Sequence, residues 1–373
     1  MYESEFPLDD SIIYLNHAAV SPWPQRTANA VKHFADENVA HGSQNYPAWV
    51  ATESTLREQL QQLINAASSE EIALLKNTSE ALSVVAYGLP WEPGDNVVIT
   101  SQEFPSNRVV WESLQKQGVI TRAAELSGAD SPENAILDTL DDRTRLLSVS
   151  AVQYGSGLKL DLSVLGAACR ERNILFCVDA IQCLGAVRLD VQDCQADFVM
   201  ADAHKWMLGP EGIALFYCRQ AVMEQLDLKQ YGWHMLQDPH NFDNRDWEIA
   251  HSARRFECGS PNMCGIHALH ASMSLILETG LPVIEEQVLD NTRFMIDYIS
   301  QQPDRFQLIT PADEHRHAGI VTFRPLNETA DSLFEALGMQ HVFCALRGGG
   351  IRFSPHFYTP RKHLFKALEM LSG

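Results

Sequence analysis

Lys205 is the residue whose placement asks for an explanation. It follows His204 in a polar turn between two apolar runs, Phe198–Ala201 and Ile213–Cys218, with Gly209 and Pro210 in the bend. A lysine held between buried strands loses hydration, which lowers its pKa and suits its amine to Schiff-base chemistry with a carbonyl. A solvated lysine in a surface turn has the same local spacing, so upstream residues decide. Asp179 closes the apolar run Ile174–Val178. Phe104 stands beside Pro105 and Ser106 just after Asn96–Thr100, and Thr78 and Ser79 open a helical pattern after Ile72–Leu75. These supply an amine for an imine, an acid for a ring nitrogen, an aromatic face, and hydroxyls at a helix start where free N–H groups attract an anion. An aldehyde carried on a pyridine ring with a phosphate would need all four. Each also has a plainer reading: Asp179 as a helix N-cap, Phe104 as core, Thr78 and Ser79 as a cap ahead of Glu80.

The elements that must position these groups alternate. Apolar strand patterns at 72–75, 96–100, 145–152, 174–178, 198–201 and 213–218 are separated by helical patterns such as Leu162–Arg172. Such β-α-β alternation with near-continuous apolar strands predicts a mostly parallel sheet covered by helices on both faces. Ligands of such sheets sit beyond the carboxyl ends of the strands. Thr78, Phe104, Gln153, Asp179 and Lys205 all fall there. Residues 226–255, rich in His, Asp, Asn, Trp and Arg, read as a long loop over a site or an interface. A helix-rich segment from Gly265 to Gln302 follows. Strand-like stretches at 319–323, 333–337 and 347–358 then suggest a smaller α+β unit.

Composition narrows the function classes. The 373 residues are 45% hydrophobic and 20% charged, enough for a large core and two domains. A formal net charge of −20 argues against nucleic acid or an anionic membrane surface as partner. The N-terminus lacks a signal pattern and no apolar run reaches spanning length. The eight cysteines form no C-x-x-C pair and sit mostly in apolar runs, as reduced thiols of a cytoplasmic protein do. No metal-ligand spacing appears.

Asp179-Ala180-Ile181-Gln182, followed by Ala203-His204-Lys205 with Gly209-Pro210 behind, resembles the signature of class V aminotransferases. These are fold-type I pyridoxal-phosphate enzymes that include cysteine desulfurases, kynureninase and an isopenicillin epimerase. Asn16–Pro22 resembles the family's N-terminal motif, Asn77–Leu82 its phosphate turn, Phe256–Asn262 its subunit-crossing loop and Arg352–Tyr358 its carboxylate motif. The resemblance implies a large cofactor domain, 17–255, with a mostly parallel seven-stranded sheet, and a smaller α+β domain formed by 1–16 and 256–373. It also implies a homodimer binding pyridoxal 5'-phosphate and acting on an amino acid. Lys205 would form the Schiff base and then move the α-proton. Asp179 would pair with the ring nitrogen, Phe104 would stack, and Gln182 and Gln153 would approach the ring hydroxyl. Thr78, Ser79, His204 and a second subunit's Ser260 would hold the phosphate. Arg352 would take the substrate carboxylate, with His17 also at the substrate.

Several residues depart from the family pattern. Phe104 stands where many relatives have histidine, as in the kynureninase branch. Asp202 replaces a phosphate-facing serine and is expected to turn away or pair with a base. Tyr154, with Gln153 before it, replaces an asparagine of the desulfurases. Those enzymes also need a cysteine on a mobile loop, whereas Cys344 lies in the apolar run Val342–Leu346, as a buried strand residue does. The reading adopted from sequence is an aminotransferase. A lyase of the kynureninase or cysteine/selenocysteine type, or an epimerase, is the alternative, and a non-catalytic phosphate- or nucleotide-binding protein the contrasting class.

Overall fold

The structure is a computed structural model that describes residues 2–126, 131–243 and 245–371, which include every candidate site residue. Its strands are β1 (Ile13–Tyr14), β2 (Ile72–Leu75), β3 (Asn96–Thr100), β4 (Ile120–Ala124), β5 (Thr144–Ser150), β6 (Leu175–Asp179), β7 (Phe198–Asp202), β8 (Ala214–Cys218), β9 (Phe306–Leu308), β10 (Val321–Pro325), β11 (Val342–Phe343), β12 (Ala345–Arg347) and β13 (Gly350–Phe353). Seven of them form one sheet in the order β2-β8-β7-β6-β5-β3-β4. Every neighbouring pair from β7 to β4 is parallel, and β8 alone runs against its neighbours. This is the fold-type I arrangement expected from the sequence.

Alternation along these strands explains why they read as unbroken apolar runs. Val98, Leu147, Val178 and Val199 enter one buried cluster, while Val97, Leu146, Cys177 and Met200 enter another on the opposite face. A strand buried on both sides has no polar face to show. Helices α1 (Gln25–His41), α2 (Tyr46–Ile64), α5 (Pro132–Thr139) and α6 (Leu162–Glu171) lie on the first face. The second is covered by α3 (Thr78–Gly88), α4 (Ser106–Glu112) and the short α7 (Gln220–Met223). Among the described residues no helix is long and apolar enough to cross a membrane.

A four-stranded sheet, β12-β13-β10-β9, carries a third cluster together with α10 (Ala330–Met339) and α11 (Arg361–Met370). Two expectations are corrected here. The 333–337 stretch is not a strand but the middle of α10, because Thr329 caps the helix through Ser332 N–H and Leu333 and Leu337, four apart, bury one face. Helix α8 (Met263–Thr279), assigned from sequence to the smaller unit, packs on α1 and α2. Its Ile266, Leu269 and Met273 join the large-sheet core. Helix α9 (Leu281–Ser300) runs between the two, with Ile284 and Val288 in the first core and Met295, Ile296 and Ile299 in the third.

Candidate active site

The carboxyl ends of β2, β3, β5, β6 and β7 open on one edge of the sheet. Asp179 is the last residue of β6, and just past the other ends stand Thr78, Phe104, Gln153 and Lys205. The turn holding Lys205 is fixed from behind. Gly209 N–H donates to Ala203 O at 2.9 Å and Leu208 N–H to Lys205 O at 3.1 Å. Gly185 has φ +94° and lies so close to this turn that a Cβ there would sit 2.1 Å from Trp206 O. The N-terminal segment adds a tie, Ser21 N–H to His204 O at 2.8 Å.

Lys205 is half-buried, with Nζ 5.7 Å from the Phe104 ring centroid. Burial lowers its pKa to about 8 against the pull of Asp179, with Arg352 and Arg347 lowering it further. Asp179 is 2% exposed and its pKa is raised to about 7, first by burial, with Glu103 and Asp202 adding to the rise. Its Oδ1 accepts from Ile181 N–H at 3.1 Å, so it caps a turn and not a helix. Phe104 is 40% exposed and meets Tyr154 edge-on at 5.1 Å between centroids. A free aromatic face, an amine and an acid thus share one edge.

Gln153 is fully buried. Its Nε2 donates to Thr100 Oγ1 and Glu103 Oε1, both at 3.1 Å, while Oε1 has no partner among the described residues. Arg352, on β13, is 2% exposed. It donates from Nη1 to Tyr154 O at 2.9 Å, and its buried Nε likewise lacks a partner among the described residues. Burial lowers its pKa to about 10. An arginine left with a free buried donor suits a planar anion arriving from outside the chain.

Other expected residues sit differently. Gln182 accepts from Trp206 Nε1 at 2.8 Å and donates to Ala18 O at 3.0 Å, leaving one amide hydrogen for a ligand. His17 is corrected as a substrate group: Nδ1 meets Ser354 O at 2.8 Å, Nε2 meets Tyr358 O–H at 2.7 Å, and the ring is 1% exposed. It clasps the N-terminal motif to the carboxylate motif. Asp202 does not turn away. Thr78 N–H donates to its Oδ1 at 2.9 Å, and its own N–H donates to Thr78 Oγ1 at 3.1 Å. A helix start draws negative charge. Burial raises the pKa of Asp202 to about 6, and its Oδ2 lies 3.7 Å from His204 Nδ1. Burial lowers the His204 pKa to about 4, so this ring is neutral at neutral pH. Asn77 takes a second amide of α3, Glu80 N–H at 2.8 Å, as an ordinary cap. Ser79 O–H donates to Ser106 Oγ at 2.9 Å.

Ser260 lies exposed beside Lys76, Glu80 and Gly212. From the 226–255 stretch, Trp233, His234 and Arg254 line one pocket with Glu53 and Arg57 of α2 and Ile72 of β2, while Asp227 bonds Gly88 at the end of α3. His234 lies among Glu53, Glu257 and Arg57, and Arg57 bonds both carboxylates. All eight cysteines are free, and Cys344, 7% exposed between β11 and β12, has its thiol pushed up to about 12 by burial.

The family model for class-V aminotransferases matches residues 13–350. The chain belongs to that family. A probable cysteine desulfurase of Methanothermobacter thermautotrophicus is 29% identical, over 99% of this chain and 97% of its own length. A cysteine desulfurase of Pectobacterium carotovorum is 31% identical, over 86% of this chain and 81% of its own. Among solved structures, the cystine C-S lyase C-DES in complex with its reaction product cysteine persulfide superposes with a TM-score of 0.91 at 19% identity, over 98% of this chain and 99% of its own. The apo cysteine desulfurase of Thermococcus onnurineus does so with 0.87 at 23%, over 99% and 96%. At such identities these likenesses speak for the fold.

The cofactor of this class V enzyme is pyridoxal 5'-phosphate. The residues present fit it: a buried acid, a half-buried amine with a lowered pKa, a part-exposed aromatic ring, and the unpartnered Gln153 Oε1 stand at one edge of the sheet.

Proposed function

We propose that this class V enzyme is a lyase that cleaves the carbon–sulfur bond of a cysteine-like amino acid and releases the sulfur without first loading it onto an enzyme thiol. Its full-length relatives are named for removing sulfur from cysteine, and one of its fold neighbours is a cystine C-S lyase. The observation that carries the thiol-free reading is Cys344. A sulfur acceptor must be an accessible thiolate, and this thiol is buried, raised to about 12 and fixed between two strands. Transamination, the reading adopted from sequence, now stands second, because these relatives are desulfurases.

When bound, pyridoxal phosphate draws electrons from the substrate's α-carbon. Lys205 would hold the cofactor covalently and take the α-proton on Nζ, a task suited to an amine titrating near neutrality. Asp179 would hold the ring nitrogen's proton, Phe104 would lie against the ring, and Gln182 and Gln153 would face the ring hydroxyl. Thr78, Ser79 and His204 would take the phosphate, joined by Ser260 of a second copy in a homodimer. Arg352 would hold the α-carboxylate through its fork, fixing the direction in which the α-carbon presents its hydrogen. The α C–H and β C–S bonds break, sulfur departs with the electron pair of the latter, and water completes pyruvate and ammonia. Reduced, unpaired cysteines suit a cytoplasmic setting.

A panel of cysteine, cystine, selenocysteine, kynurenine and alanine tests this reading. Cysteine or cystine should give pyruvate and ammonia in step with sulfide or persulfide. Alanine as the carbon product, or amino transfer to an added keto acid, would contradict it.

A further inference from the structure

Glu103 ends the turn after β3 and is buried with no arginine, lysine or histidine bonded to it among the described residues. Five donors surround its two oxygens instead. Thr100 O–H reaches Oε1 at 2.9 Å, Ser150 N–H at 2.9 Å and Gln153 Nε2 at 3.1 Å. Asn107 Nδ2 reaches Oε2 at 2.9 Å, joined by Ser150 O–H. An arrangement of donors around both oxygens is the one that suits an acceptor-only carboxylate. A buried charge without a counter-ion is costly and persists where the surrounding structure makes use of it.

Two consequences follow from its position. The amide of Gln153 can face Glu103 only through its N–H groups, because an oxygen turned there would meet the carboxylate. Thr100 enforces the same sense, giving its proton to Glu103 and accepting from Gln153. The carbonyl Oε1 of Gln153 is thereby left as the end of the amide that does not face Glu103, a buried acceptor with no partner among the described residues. Second, Ser150, which bonds Glu103 through both N–H and O–H, is the register partner of Asp179 on the adjacent strand. Glu103 therefore places a second negative charge behind Asp179.

We infer that Glu103 is a positioning residue of the cofactor site: it fixes Gln153 as a hydrogen-bond acceptor toward the cofactor and strengthens the grip of Asp179 on a proton. This rests on the placement of Gln153 and Asp179 at the ring under Proposed function. Burial, Glu103 and Asp202 raise the Asp179 pKa, while Lys205 and the Ile181 amide oppose the rise. Cys177 below it is neutral, its own pKa driven up by burial.

The test is the pH titration of the visible absorption band of the cofactor-loaded protein, with cofactor dissociation measured beside it. In Glu103→Gln, which keeps the side chain's size, loss of the negative charge should move the midpoint to lower pH by about half a unit or more, since a nearby anion favours the protonated form. Cofactor should dissociate about threefold or more readily, as expected when one neutral hydrogen bond loses its direction. In a Gln153→Ala background the dissociation effect of Glu103→Gln should shrink, because its target is gone. Should Glu103→Gln not fold, Thr100→Val leaves the carboxylate in place and removes the hydroxyl that orients Gln153, and it should weaken cofactor binding in the same sense. A wild-type band with its midpoint and dissociation unchanged in these variants, or the same loss with and without Gln153, would overturn the inference alone. Absence of any band in the wild-type protein would overturn the cofactor-site reading and this inference together.

Discussion

Lys205→Ala should leave the fold intact and remove both covalent retention of pyridoxal phosphate and turnover. Among the described residues the side chain makes no hydrogen bond to the core, and its turn is held by backbone bonds at Gly209, Leu208 and Ser21. What is lost is chemical. A positioned proton-transfer group contributes about 10²–10⁴-fold, so a fall of about 10³-fold or more is expected from that role alone. Borohydride should fix the cofactor to Lys205 of the wild-type protein and to nothing in the variant. With the amine's pKa lowered to about 8, its neutral form grows as pH rises through that value, and labelling of the apo-protein by added cofactor should rise with it. Cofactor fixed unchanged to the variant would remove Lys205 from its central role.

Asp179→Asn distinguishes a working acid from a turn cap. Asparagine can still accept from Ile181 N–H and fits the same buried space, so a residue that merely capped the turn would change activity by less than about threefold. A neutral amide cannot keep a ring nitrogen protonated, however. A charge-assisted hydrogen bond contributes about 1.5–3 kcal/mol, which at about 1.4 kcal/mol per factor of ten corresponds to a loss in kcat of roughly 10- to 100-fold. Cofactor should remain bound, as the covalent and phosphate contacts proposed for it lie elsewhere. Full activity in a folded, cofactor-loaded variant would assign Asp179 to the turn.

Sequence carried the large sheet well because its strands are buried on both faces. The runs at 72–75 and 96–100 match β2 and β3, and those around 198–201 and 213–218 lie within one residue of β7 and β8 at each end. It missed β4, whose Ile120 and Thr121 are exposed or half-buried at the sheet edge and therefore give no apolar run. The 333–337 stretch looked strand-like because Leu333, Phe334 and Leu337 crowd together, and only the Thr329 cap marks the helix. In the site, a residue's type was legible but its commitments were not. His17 and Gln182 are engaged by Ser354, Tyr358, Trp206 and Ala18, partners as far as 341 residues away in sequence. Asp202 was expected to turn away or pair with a base; it stands 3.7 Å from His204 and also bonds the helix start, because the first amides of α3 need acceptors. Glu103 had no visible signal beyond its place beside Phe104. Its five donors come from the ends of two strands, β3 and β5, the turn after β5, and a helix.

The claim that sulfur leaves without an enzyme-bound intermediate can be read directly from the mass of the protein. Cofactor-loaded enzyme is quenched in acid during turnover of cysteine or cystine, and its intact mass and cysteine-containing peptides are compared with those of enzyme without substrate. The account predicts no added sulfur atom on any of the eight cysteines while pyruvate accumulates, and unchanged turnover in Cys344→Ser. An additional sulfur on Cys344, or on the half-buried Cys258 or Cys264, appearing as fast as product and abolished with the corresponding cysteine, would contradict it.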